Sequence, residues 1–178
     1  MKRRTRSREL ALQFLYQLDL LGDAHHAEAR SFVASEELDG ETVRFALALI
    51  EGVRSHRSEL DAEIQSVAQN WNISRMAVVD RNVLRLAAYE LLHCGDIPPK
   101  VAVNEAIELG KRYSTQNSGA FVNGILDKIM NTRRSGADAA TAPATPALDE
   151  DLPGENLPGE SLPGESLPGA ATFSSEDT

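Results

Sequence analysis

Few side chains in this sequence could do bond-making chemistry. It holds four histidines and one cysteine. His25 and His26 are adjacent, so on a helix they point about 100° apart and share no face; a solvated pair is favoured over a metal site in a loop. His93 and Cys94 fall at a predicted helix end, where a histidine beside the last carbonyls complements the helix dipole. That reading is preferred to a catalytic dyad. A lone cysteine excludes both an intramolecular disulfide and a four-cysteine zinc site within one chain. Neither common glycine-rich phosphate loop is present, since Gly110, Gly119 and Gly124 read as helix or turn residues. The expectation is a non-enzyme with no catalytic residue, no metal and no cofactor.

Binding chemistry has better material. Lys2, Arg3, Arg4, Arg6 and Arg8 precede the first acidic residue, Glu9, and clustered basic side chains attract phosphates and release counterions. The competing reading is a frayed, solvated terminus. Placing residues at 100° intervals puts Leu10, Phe14 and Leu18 on one side of the first helix and Tyr16 roughly opposite, near Glu9 and Thr5. A ring displayed there could stack on an unpaired base of RNA; the other reading makes Leu12, Tyr16 and Leu20 a second packing stripe. Phe121 follows the polar segment 114–119 and falls at the edge of the stripe Val122, Ile125 and Ile129, where periodicity leaves both core and surface open.

The elements that must carry these residues are helices. Apolar residues recur at helical spacing throughout the body, without the strict alternation of a half-buried strand. The spacing predicts helices over 6–21, 27–35, 41–53, a stripe of Leu60, Ile64, Val67 and Trp71, then 74–93 with Ser74 as N-cap, 100–113 and 118–130. Gly22-Asp23 and Gly95-Asp96 before Pro98-Pro99 supply the breaks. The fold class expected is all-α, a compact globular bundle of six or seven helices.

Charge divides the chain at about residue 135. The net charge is −9, yet all 18 basic residues lie before Gly136 together with 18 of the 27 acidic ones, so residues 1–135 are formally neutral. Residues 136–178 carry nine acidic residues, no Lys or Arg, and a five-residue repeat, LPGEN, LPGES, LPGES, LPGAA. Pro-Gly turns and scattered leucines cannot bury enough surface to offset chain entropy. Two segments are therefore expected, a helical RNA-binding domain over 1–135 and a disordered acidic Pro/Gly-rich tail over 136–178. The tail is read either as a weak electrostatic competitor of RNA at the basic terminus or as an inert solubilising extension. No apolar run approaches a membrane span and MKRRTRSREL lacks a signal's apolar stretch, so a cytoplasmic location is expected.

Four segments, RSRELALQFLYQLD, DRNVLRLAAYELLHCGDIP, KVAVNEAIELGKRYS and FVNGILDKI, resemble in order and spacing the NusB family of bacterial transcription antitermination factors. The resemblance spans roughly residues 3–131, and the tail has no counterpart in it. It implies a NusB-like helical protein that binds boxA-type, single-stranded RNA of nascent ribosomal RNA transcripts together with NusE, a small-subunit ribosomal protein. That assembly joins the RNA polymerase antitermination complex. Carried over by position, Arg4, Arg6, Arg8, Tyr16 and Phe121 match the RNA surface, and Asp80 matches an acidic position used toward NusE. Without the resemblance, Asp80 would be read as dipole complementarity near a helix N-terminus. Asn117 stands where relatives often carry an acid; a neutral amide beside phosphates removes a repulsion.

Two alternatives come from the same fold. NusB-like modules also occur fused to ribosomal RNA methyltransferases, but nothing here supplies the cofactor-binding domain or the catalytic cysteines. A self-associating helical module, a homodimer covering its RNA surface, is the third reading.

Overall fold

A computed structural model describes residues 3–140, with side chains through residue 132. Among the described residues seven α-helices follow one another: α1 (Arg3–Leu21), α2 (Ala29–Glu36), α3 (Gly40–Ser55), α4 (Arg57–Val67), α5 (Val78–His93), α6 (Pro99–Tyr113) and α7 (Ser118–Ala140). Short 3-10 turns at Asp23–Glu28 and Ile73–Arg75 join α1 to α2 and α4 to α5. No strand occurs among the described residues.

Local chemistry sets the breaks. Gly22 closes α1 at φ 91°, in the region that favours glycine, with its N–H donating to Leu18 O at 3.0 Å. Asp39 caps α3 by accepting from Thr42 N at 2.9 Å and Thr42 Oγ1 at 2.8 Å, and these bonds hold its carboxyl below the usual range. Pro98 and Pro99 open α6, where a missing N–H costs nothing.

The core gathers Leu10 and Phe14 of α1, Leu49 and Ile50 of α3, Leu60 and Ile64 of α4, Leu84 and Leu86 of α5, and Leu126 and Ile129 of α7, all essentially solvent-free. The middle of the bundle is α5, which touches α1, α3, α4, α6 and α7. Its position explains why it buries Asp80, Asn82, Arg85 and Glu90 as well as its apolar residues.

Several expectations need correction. α1 starts at Arg3 and buries Leu12 as well as Leu10, Phe14 and Leu18, whereas Leu20 and Leu21 are exposed. It therefore lies between neighbours on more than one side in its first half and emerges into solvent in its last turn. Trp71 does not belong to α4, which ends at Val67; the Gln65 amide bonds Trp71 O at 3.0 Å and Ile73 N at 3.0 Å, and stabilises a turn instead of another helical turn. Ser74 is not an N-cap of α5. Asn72 caps the 3-10 turn Ile73–Arg75, accepting from Ser74 N at 2.9 Å, and α5 begins only at Val78 behind Ala77, after Met76 has turned into the core. α7 passes both its expected end at 130 and the expected boundary at 135, reaching Ala140; the run GADAA is rich in alanine, which extends a helix at the least entropic cost. The expected disordered tail lies, beyond Ala140, outside the described residues.

Candidate nucleic-acid and partner interface

The N-terminal arginines are displayed on α1, but each is met by acids. Arg3 pairs with Asp39 at 3.6 Å and with Glu41; Arg4 pairs with Asp96 at 3.3 Å and lies 4.2 Å over the Phe45 ring. Arg6 faces Glu9, Glu36 and Glu37 at 3.6–3.9 Å. The expected concentration of positive potential is thus largely offset by carboxylates from α2, α3 and the α5–α6 connection. A phosphate arriving at Arg4 or Arg6 must displace a carboxylate.

Arg8 departs further from expectation. Only 3% of it is exposed, and it donates from Nε to Glu90 at 2.8 Å while Glu105 lies 3.4 Å from Nη1. Burial pushes the Glu90 carboxyl above its ordinary value even though the Arg8 charge pulls the other way. Arg8 is an internal ion tying α1 to α5 and α6, out of reach of a ligand, which corrects its reading as part of a surface cluster.

The face of α1 that carries Thr5, Glu9 and Tyr16 is bridged to α6 in its first half by polar side chains. Thr5 Oγ1 donates to Glu105 at 3.2 Å, and Arg112 donates to the buried carboxylate of Glu9. Two turns beyond Glu9, Tyr16 is 39% exposed. Part of Tyr16 is thus open to solvent, and the exposed Leu20 one turn on argues against a continuous second stripe of Leu12, Tyr16 and Leu20.

The other expected residues collect around the α6–α7 loop. Thr115 Oγ1 and Ser118 Oγ are 2.8 Å apart, Ser118 Oγ accepts from Thr115 N at 3.1 Å, and it donates to Asp80 Oδ2 at 3.2 Å. This chain of hydroxyls ending on a carboxylate fixes the loop, leaving Asn117 exposed at its tip. Asp80 itself is 8% exposed and sits beneath Ser118, so the expectation of a surface acid is corrected: it is a post under the loop, with Oδ1 free of a protein partner among the described residues. Phe121 is half-buried and meets the exposed Trp71 edge-on, ring centroids 5.5 Å apart. That aromatic pair resolves the choice left open for Phe121 as part core and part surface, and it recruits Trp71, which periodicity had assigned to a helix stripe.

Sequence reasoning also missed the strongest ion network. Asp19, on α1, accepts from Arg81 Nε at 2.6 Å, Arg57 Nη2 at 2.7 Å, Asn82 at 3.1 Å and Arg85 at 3.2 Å, and Arg85 pairs in turn with Asp61 at 2.6 Å. Burial would raise the Asp19 carboxyl, but the Arg81 hydrogen bond and the three arginine charges outweigh it and hold it low. The signal was available: Arg81 and Arg85, four apart on a mostly buried helix, require an acid from elsewhere.

Nothing in this arrangement activates a nucleophile. Burial, then the charges of Glu90 and Asp96, push the Cys94 thiol up, opposite to what a reactive cysteine needs.

A family model, that of the NusB family, matches residues 5–131. The chain belongs to the NusB family. Among its NusB relatives, the transcription antitermination protein NusB of Anaeromyxobacter dehalogenans (strain 2CP-1 / ATCC BAA-258) is 52% identical over 130 residues, covering 72% of this chain and 91% of the relative. NusB of Myxococcus xanthus (strain DK1622) is 50% identical over 132 residues, covering 71% and 93%. Among solved structures, T. maritima NusB matches with TM-score 0.64 at 40% identity, over 74% of this chain and 92% of that one. A chain from the crystal structure of antitermination factors NusB and NusE in complex with dsRNA matches with TM-score 0.67 at 28% identity, over 74% and 98%. The NusB match takes in α1 from Thr5, all of α2–α6 and α7 through Asn131, and so includes every interface residue described above except Arg3 and Arg4. No described helix is long and apolar enough to cross a membrane.

Proposed function

We propose that this chain is a transcription antitermination factor that binds boxA-type RNA of nascent ribosomal RNA together with NusE, and so supports read-through by RNA polymerase. The observation that carries this reading is the match to antitermination NusB proteins at about half identity over nine-tenths of their length. The solved assembly of NusB and NusE with dsRNA, which has the same fold, supports RNA and NusE as the classes of ligand. Arg4, Arg6, Tyr16, Asn117 and Phe121 are assigned to RNA, the arginines by exchanging carboxylates for phosphates and the rings by stacking on unpaired bases. Asp80 is assigned to the NusE side, acting through the loop it anchors and not by direct contact. The chain performs no catalysis in this reading.

The test is an electrophoretic shift with single-stranded boxA-type RNA, with and without NusE, against a duplex of the same sequence. A shift with the single strand that NusE strengthens is expected. Equal binding of duplex and single strand would contradict the stacking assignment, and no shift under either condition would overturn the function.

A further inference from the structure

Away from the arginine-rich end, three metal-ligating side chains meet where α3, α4 and the end of α5 converge. His56 lies between α3 and α4, Glu59 is in the first turn of α4, and His93 is the last residue of α5. One ligand atom from each falls within 4.8 Å of the other two. His93 Nε2 is 3.3 Å from Glu59 Oε1, which is about the edge that metal–ligand bonds of about 2.0–2.1 Å impose on a tetrahedron.

We propose that His56, Glu59 and His93 form a binding site for a borderline divalent cation, Zn²⁺ by class, that staples the start of α4 to the end of α5. The support beneath the ligands resembles that of a metal centre. His56 Nδ1 is 2.9 Å from Gly52 O, and a carbonyl only accepts, so the proton sits on Nδ1 and the neutral ring offers its Nε2 lone pair. Tyr89 walls the site, stacked on His93 at 5.3 Å and tilted against His56 at 5.6 Å. Its ring lies where a Cβ at residue 52 would be, so glycine there is what lets the wall close on α3.

An ordinary ion pair accounts for less. It explains His93 beside Glu59 but not why the second imidazole is brought there, the His56 centroid lying only 4.1 Å from that of His93. The carbonyl end of α5 adds negative potential at the same point. Two imidazoles and one carboxylate suit zinc and disfavour Mg²⁺ and Ca²⁺, which take oxygen ligands. The Glu59 side chain is exposed and that of His93 is partly so, at 26%, so water can complete the coordination and binding is reversible.

The experiment uses the full chain without an affinity tag, titrated with ZnCl₂ by calorimetry and with Co²⁺ by visible absorbance. One equivalent of Zn²⁺ is expected, with tetrahedral Co²⁺ bands and a rise of a few degrees in the thermal midpoint on adding Zn²⁺. His93→Gln and Glu59→Gln, both at exposed positions, should each weaken binding at least tenfold. His26→Gln, which removes the separate pair with Glu51, and Cys94→Ser should leave it unchanged. Failure to bind Zn²⁺, equal binding of Mg²⁺, or binding that survives His93→Gln but is lost in His26→Gln would each overturn the site.

Discussion

Replacing Arg8 by methionine separates a structural arginine from an RNA-binding one. Methionine keeps most of the apolar stem but leaves Glu90, itself 2% exposed, without its guanidinium. Breaking a buried pair from one side costs about 3–5 kcal/mol. A second limit comes from protonation, since Glu90 can escape by taking a proton. At pH 7 that costs about 1.4 kcal/mol for each of the roughly 2.7 units separating pH 7 from the ordinary glutamate value, or about 3.7 kcal/mol. Because burial already raises Glu90 in the wild type, that figure is a ceiling, and urea unfolding followed by circular dichroism should show a loss of up to about 3.7 kcal/mol, equivalent to at most about 11–15 °C in thermal midpoint for a domain of this size. The sign with pH follows from the same reasoning. Without Arg8 the folded Glu90 titrates above its unfolded value, so its destabilisation is complete at high pH and fades as pH falls. Between pH 7 and pH 5 the deficit against the wild type should shrink by up to about 2.7 kcal/mol. A variant of unchanged stability that has lost RNA affinity would refute this and return Arg8 to the surface.

Arg4→Ala with Arg6→Ala should lower the slope of log affinity against log salt by less than one unit per arginine, because each already holds a carboxylate that phosphate must replace; an unchanged slope removes both from the RNA site. Tyr16→Ala should cost about 1–3 kcal/mol of affinity for single-stranded RNA with the melting temperature nearly unchanged, and a large fall in melting temperature without a binding defect would contradict its exposure. Ser118→Ala and Asp80→Asn should weaken NusE binding alike, by about 1–2 kcal/mol, if Asp80 acts through the loop hydroxyls; a defect confined to Asp80→Asn would mean direct contact. Asp19 contributes stability that is present above its unfolded value near 3.8 and is lost as pH falls through its lower folded value, so Asp19→Asn should flatten the acid-unfolding curve below pH 3.8, and parallel curves would deny the network that role.

The helices and their order were legible because Leu10, Phe14, Leu49, Ile64, Leu86 and Ile129 repeat at a period only a helix satisfies. Boundaries set by side-chain competition were not, since Gln65 and Asn72 end α4 and delay α5 through bonds that periodicity does not encode. Tyr16 was legible from one helix alone, its exposure depending only on position around α1. Arg8, Asp80 and Trp71 were not, because each depends on a second element: α5 and α6 beside Arg8, the α6–α7 loop over Asp80, and Phe121 against Trp71. The positive patch failed for the same reason. The arginines cluster within residues 3–8, but apart from Glu9 the acids that offset them come from residues 36–41, 90, 96 and 105.

In the proposed reading, RNA is held along the exposed face running from the start of α1 past Tyr16 and at the α6–α7 loop. Backbone and side-chain NMR shifts on adding boxA-type RNA test it most directly. The largest changes are predicted at Arg4, Arg6, Tyr16, Asn117 and Phe121, with Arg8 and the His56–His93 cluster unmoved. Shifts centred on α4 and the end of α5, with Tyr16 and Phe121 silent, would contradict it.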